Sequence, residues 1–148
     1  MDYTWDTYLE TGFAHIDRQH KMLFEVLCSL NNACKSMTPA DELERTLDFL
    51  TSYTFKHFSD EEQIQRTYDY PDYLQHKRYH DHFSDVVREH CEQLRRKGYS
   101  HQLMYTVYDT VGDWLVHHIR GEDFRMAAHV IYLGAESISA PGVWTADM

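Results

Sequence analysis

The chain has 148 residues, which fits a single domain large enough to bury a hydrophobic core. Its 14 Lys and Arg residues against 24 Asp and Glu residues give a formal net charge of −10, which argues against nucleic acid and anionic membranes as partners. No apolar run approaches the ~20 residues that a membrane-spanning helix needs. The unusual feature of the composition is its eleven histidines, which require a physical explanation.

The first segment, residues 1–16, precedes any helical periodicity. Its aromatic residues Trp5, Tyr8 and Phe13 predict an arm packed on the rest of the domain. There is no Lys or Arg before Arg18, so this segment does not have the charge pattern of a secretory signal.

The cysteine pattern favours a cytoplasmic protein. Cys28, Cys34 and Cys91 form no Cys-x-x-Cys pair and leave one residue over in any disulfide scheme. We therefore expect reduced thiols, packed as small core side chains.

Four segments then repeat apolar side chains at helical spacing and contain no strand-like alternation. They predict an all-α protein, an up-down-up-down four-helix bundle over residues 17–136. The inward positions are His20, Leu23, Leu27, Leu30 and Cys34 in the first segment; Leu43, Leu47, Leu50, Thr54, His57, Glu61, Ile64 and Tyr68 in the second; Tyr73, His76, His80, Phe83, Val87, Cys91 and Leu94 in the third; and Leu103, Val107, Val111, Trp114 and His118 in the fourth.

Helix-boundary signals agree with this division. Thr38 followed by Pro39 is typical of a helix start, and Pro71 is expected to open the third helix in the same way. Gly98 would end the third helix, and Ser100 would cap the fourth. Residues 137–148 are expected to form a C-terminal tail or the start of a linker.

Every helix places at least one histidine on the face that should be apolar. Two pairs four residues apart, His57 with Glu61 and His76 with His80, each point to one side of a helix. Unpaired, these buried polar groups would cost several kcal/mol. A metal centre in the bundle core would satisfy them together, because imidazole and carboxylate suit iron, zinc, copper or manganese.

Three other kinds of metal site fit the sequence less well. It contains no Glu-x-x-His motif of the ferritin-like di-iron enzymes and no His-Glu-x-x-His motif of zinc proteases. His80-Asp81 has the dipeptide of a metal phosphohydrolase, but Asp81 lies about 100° around the helix from the inward face.

Four stretches of the chain together resemble the bacterial hemerythrins, over roughly residues 5–125. The matching residues are Trp5-Asp6, Gly12, Ile16-Asp17-Arg18-Gln19-His20-Lys21 and Leu23-Phe24; His57-Phe58-Ser59-Asp60-Glu61-Glu62; Tyr70-Pro71, His76, His80 and Phe83; and Trp114-Leu115-Val116-His117-His118-Ile119 with Asp123.

This resemblance implies a non-haem di-iron centre, bridged by an oxo or hydroxo group, that binds dioxygen reversibly. One iron would be held by His76, His80 and His118, and the other, with an open position for dioxygen, by His20 and His57; Glu61 and Asp123 would bridge the two. The walls of the oxygen pocket would be Leu23, Trp114, Leu115 and Ile119, together with Phe24 or Phe58.

The second bridging carboxylate has a rival. Asp123 follows His118 by five residues, about 140° around a regular helix, whereas Glu122 follows by four. The resemblance favours Asp123, which a π-bulge or a loosened turn eased by Gly121 would bring inward.

The chain departs from the family at Met126, where relatives often have a tyrosine, so a hydrogen bond near the site is either missing or supplied elsewhere. The histidines outside the ligand set are expected on the surface or behind the ligands: His15, His82, His90, His101, His117 and His129.

The leading function is oxygen storage, delivery or sensing, without catalysis. The alternatives are a di-iron enzyme with peroxidase or nitric-oxide chemistry, and an oxygen- or redox-sensing input domain fused to a signalling output. The sequence does not fix the oligomeric state.

Overall fold

The computed structural model describes residues 2–33 and 35–134. A short 3-10 helix, Thr7–Leu9, precedes helices α1 (Ala14–Ala33), α2 (Pro39–Thr67), α3 (Tyr73–Lys97) and α4 (His101–His118). A π-helical segment, Ile119–Asp123, leads into α5 (Phe124–Tyr132). Cys34 and the predicted tail or linker, residues 137–148, lie outside the described residues.

The helices pack as a ring. Helix α1 contacts α2 and α4, and α3 contacts the same two neighbours. Since α4 continues through the π-helical segment into α5, this continuous stretch forms the fourth member of the bundle. The predicted all-α, up-down-up-down four-helix bundle is confirmed. No helix in the described part of the chain is long and apolar enough to cross a membrane.

Most of the predicted helix ends coincide with the observed ones. Pro39 is the first residue of α2, Gly98 ends α3 with a φ of 77°, and the Ser100 side chain accepts a hydrogen bond from the Leu103 N–H at 3.0 Å. The prediction for Pro71 was wrong, because Pro71 lies in a turn and α3 begins only at Tyr73.

The N-terminal arm is anchored at both of its ends. The Tyr3 N–H donates to the Tyr108 hydroxyl at 2.8 Å, and the Tyr3 ring lies against Gly112 of α4. At the other end, the Asp17 carboxylate accepts hydrogen bonds from the Thr11 and Gly12 N–H groups. Helix α1 begins at Ala14, so the last three residues of the predicted arm, 14–16, already belong to the helix.

Two apolar clusters lie on either side of a polar layer. The smaller consists of Phe13, Ile16, Ile64, Tyr70, Met126 and Val130. The larger includes Leu23, Phe58, Phe83 and Leu115. The inward histidines and carboxylates lie between these clusters along each helix, so the polar layer is shut off from water by hydrocarbon on both sides.

Candidate metal centre

Every helix of the bundle contributes to the polar layer. Helix α1 supplies His20, α2 supplies His57 and Glu61, and α3 supplies His76 and His80. His118 ends α4, and Asp123 ends the π-helical segment. All seven side chains are buried, with His118 the most exposed at 5%.

The seven residues form two groups that share both carboxylates. Glu61 and Asp123 join His76, His80 and His118 in one group and His20 and His57 in the other; within each group the ligand atoms lie within 4.8 Å of one another. The structure thus brings together all seven residues that the sequence singled out, in the same division of three and two histidines.

Each carboxylate directs one oxygen to each group. Glu61 Oε1 lies 3.1 Å from His80 Nε2, and its Oε2 lies 3.0 Å from His57 Nε2. Asp123 Oδ1 lies 3.0 Å from His76 Nε2, and its Oδ2 lies 3.0 Å from His20 Nε2. This orientation is the one that two bridging carboxylates need.

The π-helical segment explains how Asp123 reaches the layer. Its wider turn places Asp123, five residues after His118, with its Oδ1 atom 3.2 Å from His118 Nε2. Glu122 is half-buried and pairs with Arg125 instead. Glycine is not required at Gly121, since a Cβ atom there would meet only the Arg125 guanidinium, at 4.0 Å.

Two of the histidines carry strongly raised pKa values in the metal-free protein. Burial alone lowers the pKa of His20, but hydrogen bonds and charges from Asp123 and Glu61 outweigh it and raise the pKa to about 9. Burial also lowers the pKa of His76, and hydrogen bonds and charges from the same two carboxylates outweigh it and raise the pKa to about 10. Burial lowers the pKa of His57. Protons on His20 and His76 therefore occupy the place of cations beside the two carboxylates.

The carboxylates respond in the opposite direction. Burial alone would raise the pKa of Glu61, but the charge of His57 and hydrogen bonds from His20, His57 and His76 hold it well below its usual range. The pKa of Asp123 is also well below its usual range: burial and the charge of Glu61 raise it, and the charge of His118 with hydrogen bonds from His118 and His20 outweighs them. Both groups are anionic at neutral pH and are therefore ready to bind cations.

Several buried nitrogen and oxygen atoms of the polar layer lack good hydrogen bonds, and two metal ions would satisfy them. Among the described residues, no well-aligned hydrogen bond satisfies His76 Nε2, Glu61 Oε1 or either oxygen of Asp123, although His76 Nε2 lies 3.0 Å from Asp123 Oδ1 and 3.3 Å from Glu61 Oε1. His80 Nε2 and His118 Nε2 face each other at 3.2 Å. Two cations would satisfy the facing nitrogens and the carboxylate oxygens together, and imidazole with carboxylate is a donor set that iron accepts.

Comparison with known proteins agrees with this geometry. The family described as "Hemerythrin HHE cation binding domain" matches residues 11–130. The chain belongs to the hemerythrin family.

Similar proteins include both animal and bacterial members of the hemerythrin family. The chain is 32% identical to a bacteriohemerythrin of Stenotrophomonas maltophilia over 126 residues, covering 85% of this chain and 80% of that protein. It is 28% identical to the myohemerythrin of Theromyzon tessulatum over 123 residues, covering 83% and 89%. The myohemerythrin of Sipunculus nudus is 29% identical over 123 residues, with coverage of 83% and 89%.

Aromatic rings cover the three-histidine side of the hemerythrin site. Phe58 stacks on His80 with ring centroids 3.9 Å apart, and Trp114 stacks on His118 at 4.3 Å. The other residues expected to wall an oxygen pocket are all buried in the larger apolar cluster: Leu23, Phe24, Leu115 and Ile119. Their role as pocket walls stays a prediction.

Met126, for which the family resemblance predicted a missing or replaced hydrogen bond, has a polar neighbour. Its sulfur accepts a hydrogen bond from Gln65 Nε2 at 3.0 Å, and both side chains are completely buried. The polar contact at this position therefore comes from α2.

Sequence reasoning missed the groups that contact the outer nitrogens of the histidines. His80 Nδ1 lies 2.8 Å from Glu62 Oε2, and His57 Nδ1 lies 2.7 Å from Gln19 Oε1. Both partners are chain neighbours of predicted ligands, since Gln19 precedes His20 and Glu62 follows Glu61. A polar residue beside a ligand was the available signal.

The other histidines divide between surface and interior. His82, His101 and His117 are exposed and His129 is half-buried, whereas His15 is buried beside Asp60 behind the site. For His90 the expectation was wrong: it is buried, and neither ring nitrogen has a hydrogen-bond partner among the residues that the structure describes. The buried face of α3 runs through Val87 and then His90, three residues further on. Cys91, the predicted continuation of this face, is half-buried.

The thiols are less deeply placed than expected. Cys28 and Cys91 are free and half-buried, so neither is a fully enclosed core side chain. Cys28 lies under the arm, with its sulfur 3.5 Å from the Tyr3 carbonyl oxygen.

Proposed function

We propose that this chain binds dioxygen reversibly at a non-haem di-iron centre. The single observation that carries this proposal is the division of seven buried donors into two groups that share Glu61 and Asp123. Membership of the hemerythrin family supports iron as the metal of this site.

In this proposal each side chain has a definite role. His76, His80 and His118 would hold one iron, His20 and His57 would hold the other, and Glu61 and Asp123 would serve both. The group with only two histidines leaves room for a ligand from outside. When bound, the two irons supply the electrons that reversible oxygen binding uses.

The hydrocarbon around the site serves reversibility. Leu23, Leu115 and Ile119 are at most 2% exposed. Because these side chains exclude water, they limit the supply of protons that an irreversible reduction of dioxygen would consume. We propose that these side chains, with Phe24, Phe58 and Trp114, form the oxygen pocket.

We further propose that the protein works in the cytoplasm, in oxygen storage, delivery or sensing. The free thiols of Cys28 and Cys91 support a reducing compartment. A signalling output domain attached to this unit would make it a sensor.

Reconstitution tests the proposal. Metal-free protein is loaded anaerobically with iron(II) and then exposed to air. We expect two irons per chain and a visible charge-transfer absorption that disappears under argon and returns in air. Zinc-loaded protein is the control, because zinc has no redox chemistry and should show no such band.

The same experiment separates binding from catalysis. In the contrary outcome the band bleaches within a turnover and does not return, while added peroxide is steadily consumed. That result would indicate peroxidase chemistry and contradict reversible oxygen binding. Iron content well below two per chain would contradict the di-iron centre itself.

A further inference from the structure

A buried chain of hydrogen bonds leads from His57 away from the metal layer. His57 Nδ1 lies 2.7 Å from Gln19 Oε1, and Gln19 Nε2 lies 2.8 Å from Asp60 Oδ2. His15 Nε2 lies 3.0 Å from that same oxygen of Asp60. None of these four side chains is more than 5% exposed, so water does not compete for their hydrogen bonds.

The direction of this chain is set at Asp60. A carboxylate oxygen only accepts hydrogen bonds, so Gln19 must turn its NH2 group toward Asp60. The Gln19 carbonyl oxygen then faces His57 and accepts from the Nδ1–H group. With the Nδ1–H group held by Gln19, the His57 ring directs Nε2 into the metal layer, where a metal ion would replace the proton that Nε2 shares with Glu61.

Two further groups hold the Asp60 carboxylate in place. The His15 ring donates from Nε2, and the Lys56 ammonium lies 3.8 Å from the same carboxylate oxygen. His15 and Gln19 are on α1 and Asp60 is on α2, so the chain also joins these two helices.

We propose that Asp60, supported by His15, is a positioning residue that fixes the tautomer of His57 through the orientation of the Gln19 amide. This inference rests on the proposed role of His57 as a metal ligand. On the three-histidine side the corresponding contact is direct, from His80 to Glu62. The histidines of the two groups are therefore positioned by different partners, although the groups share Glu61 and Asp123.

Asp60→Asn tests the proposal, because an amide of the same shape no longer dictates which end of Gln19 it faces. In the variant the Gln19 NH2 group can turn toward His57, where it favours the tautomer that cannot bind metal through Nε2. The matched control is Asp81→Asn, which changes an exposed carboxylate of α3 that pairs with Lys77.

The measurement is a chelator-competition titration with zinc(II), followed by spectra of 15N-labelled histidine. We expect Asp60→Asn to weaken one of two zinc ions by about 10–100-fold, with the loss confined to the signals of His20 and His57. Asp81→Asn should match the wild type, and Glu62→Gln should instead affect the signals of the three-histidine group.

Rescue separates positioning from packing. In the double variant Asp60→Asn with Gln19→Glu, the new carboxylate at position 19 accepts only, so it again accepts from His57 Nδ1–H. It also accepts from the NH2 group of the new amide at position 60. We expect the zinc affinity of the double variant to return to within a few-fold of the wild type. If Asp60 had only a structural role, the second substitution would not restore zinc affinity.

A second variant tests the proposal in case Asp60→Asn fails to fold. Gln19→Leu leaves Asp60 its contacts with His15 and Lys56 and breaks only the link to His57, so it should weaken the same zinc ion. Unchanged zinc affinity in folded Asp60→Asn or Gln19→Leu protein would overturn the positioning role alone. Failure of the wild type to bind two zinc ions would overturn the proposed metal site as well.

Discussion

At the scale of single residues, adjacent histidines near the end of α4 have opposite surroundings. His118 is 5% exposed and faces Asp123, whereas His117 is exposed and lies 3.4 Å from the Asp113 carboxylate. One residue of helix rotation, about 100°, accounts for this difference.

This difference predicts the effect of two matched substitutions. His118→Ala should reduce iron toward one per chain and abolish the oxygen-dependent band, because a ligand is lost. His117→Ala should keep two irons and the band. Metal analysis with an optical spectrum in air measures both, and the reverse pattern would contradict our placement of His118 as the ligand.

Leu115 is expected to control the lifetime of the oxygenated protein. Leu115→Ala removes hydrocarbon beside the proposed site and admits water, so autoxidation should be several-fold faster while iron content stays at two. Leu103→Ala is the control, since it makes the same truncation about 18 Å along α4. Each change should cost roughly 2–5 kcal/mol of unfolding free energy. Equal autoxidation rates in the two variants would show that Leu115 does not wall the oxygen pocket.

At the scale of elements, the π-helical segment decides which carboxylate enters the layer. A regular helix through Ile119–Asp123 would leave Asp123 turned away from His118, and the wider turn corrects this. Glu122 is turned outward by the same change and pairs with Arg125.

Isosteric amides at these two positions test that choice. Asp123→Asn should lower iron content well below two per chain, because the bridging charge is lost. Glu122→Gln should leave iron content at two and change stability by no more than about 0.5 kcal/mol. If Glu122→Gln proved the damaging substitution, Glu122 would be the bridge.

The docking of the arm depends on a glycine in α4. A Cβ atom at Gly112 would overlap the Tyr3 ring, whereas one at Gly121 has room. We therefore expect Gly112→Ala to release the arm, despite a gain in helix propensity of about 1 kcal/mol, and Gly121→Ala to keep it packed. Hydrogen exchange of residues 2–13 measures this. Equal protection in the two variants would show that the close contact is not needed.

At the scale of the whole molecule, the metal-free bundle is held partly by protons. The pKa of His20 is about 9 and that of His76 about 10, both above the unfolded value of 6.5. The folded state therefore holds protons that the unfolded state has lost. This stabilisation is full below about pH 6.5 and is lost as the pH rises through 9 to 10, by up to about 1.4 kcal/mol per pH unit for each histidine.

Thermal melts between pH 7 and 10 test this linkage. The melting temperature of metal-free protein should fall steadily, while that of metal-loaded protein should change much less, because cations replace the protons. A metal-free melting temperature that stayed constant or rose would contradict it. Metal uptake should also release protons into a weakly buffered solution at pH 8.

Much of this organisation follows from sequence periodicity. Inward spacing predicted the four helices and grouped His20, His57, His76, His80 and His118 on facing sides, since a helix places residues i and i+4 together. Spacing alone could not predict Asp123, because a π-turn depends on how the chain packs after His118.

Helical periodicity also could not predict the residues that contact the outer nitrogens of the histidine ligands. Gln19 and Asp60 lie beside the inward stripes, and their mutual contact joins residues 41 positions apart on two helices. The continuation of the buried face of α3 to His90 depended on a choice between a three- and a four-residue step, both compatible with a helix.

The most direct test of the central claim is the amount of dioxygen bound per chain. Protein reconstituted with two irons is titrated with dioxygen and then purged with argon. A site with a single open position predicts one dioxygen bound per two irons, released on purging and taken up again. No uptake, or uptake that is consumed and cannot be recovered, would contradict reversible oxygen binding by this protein.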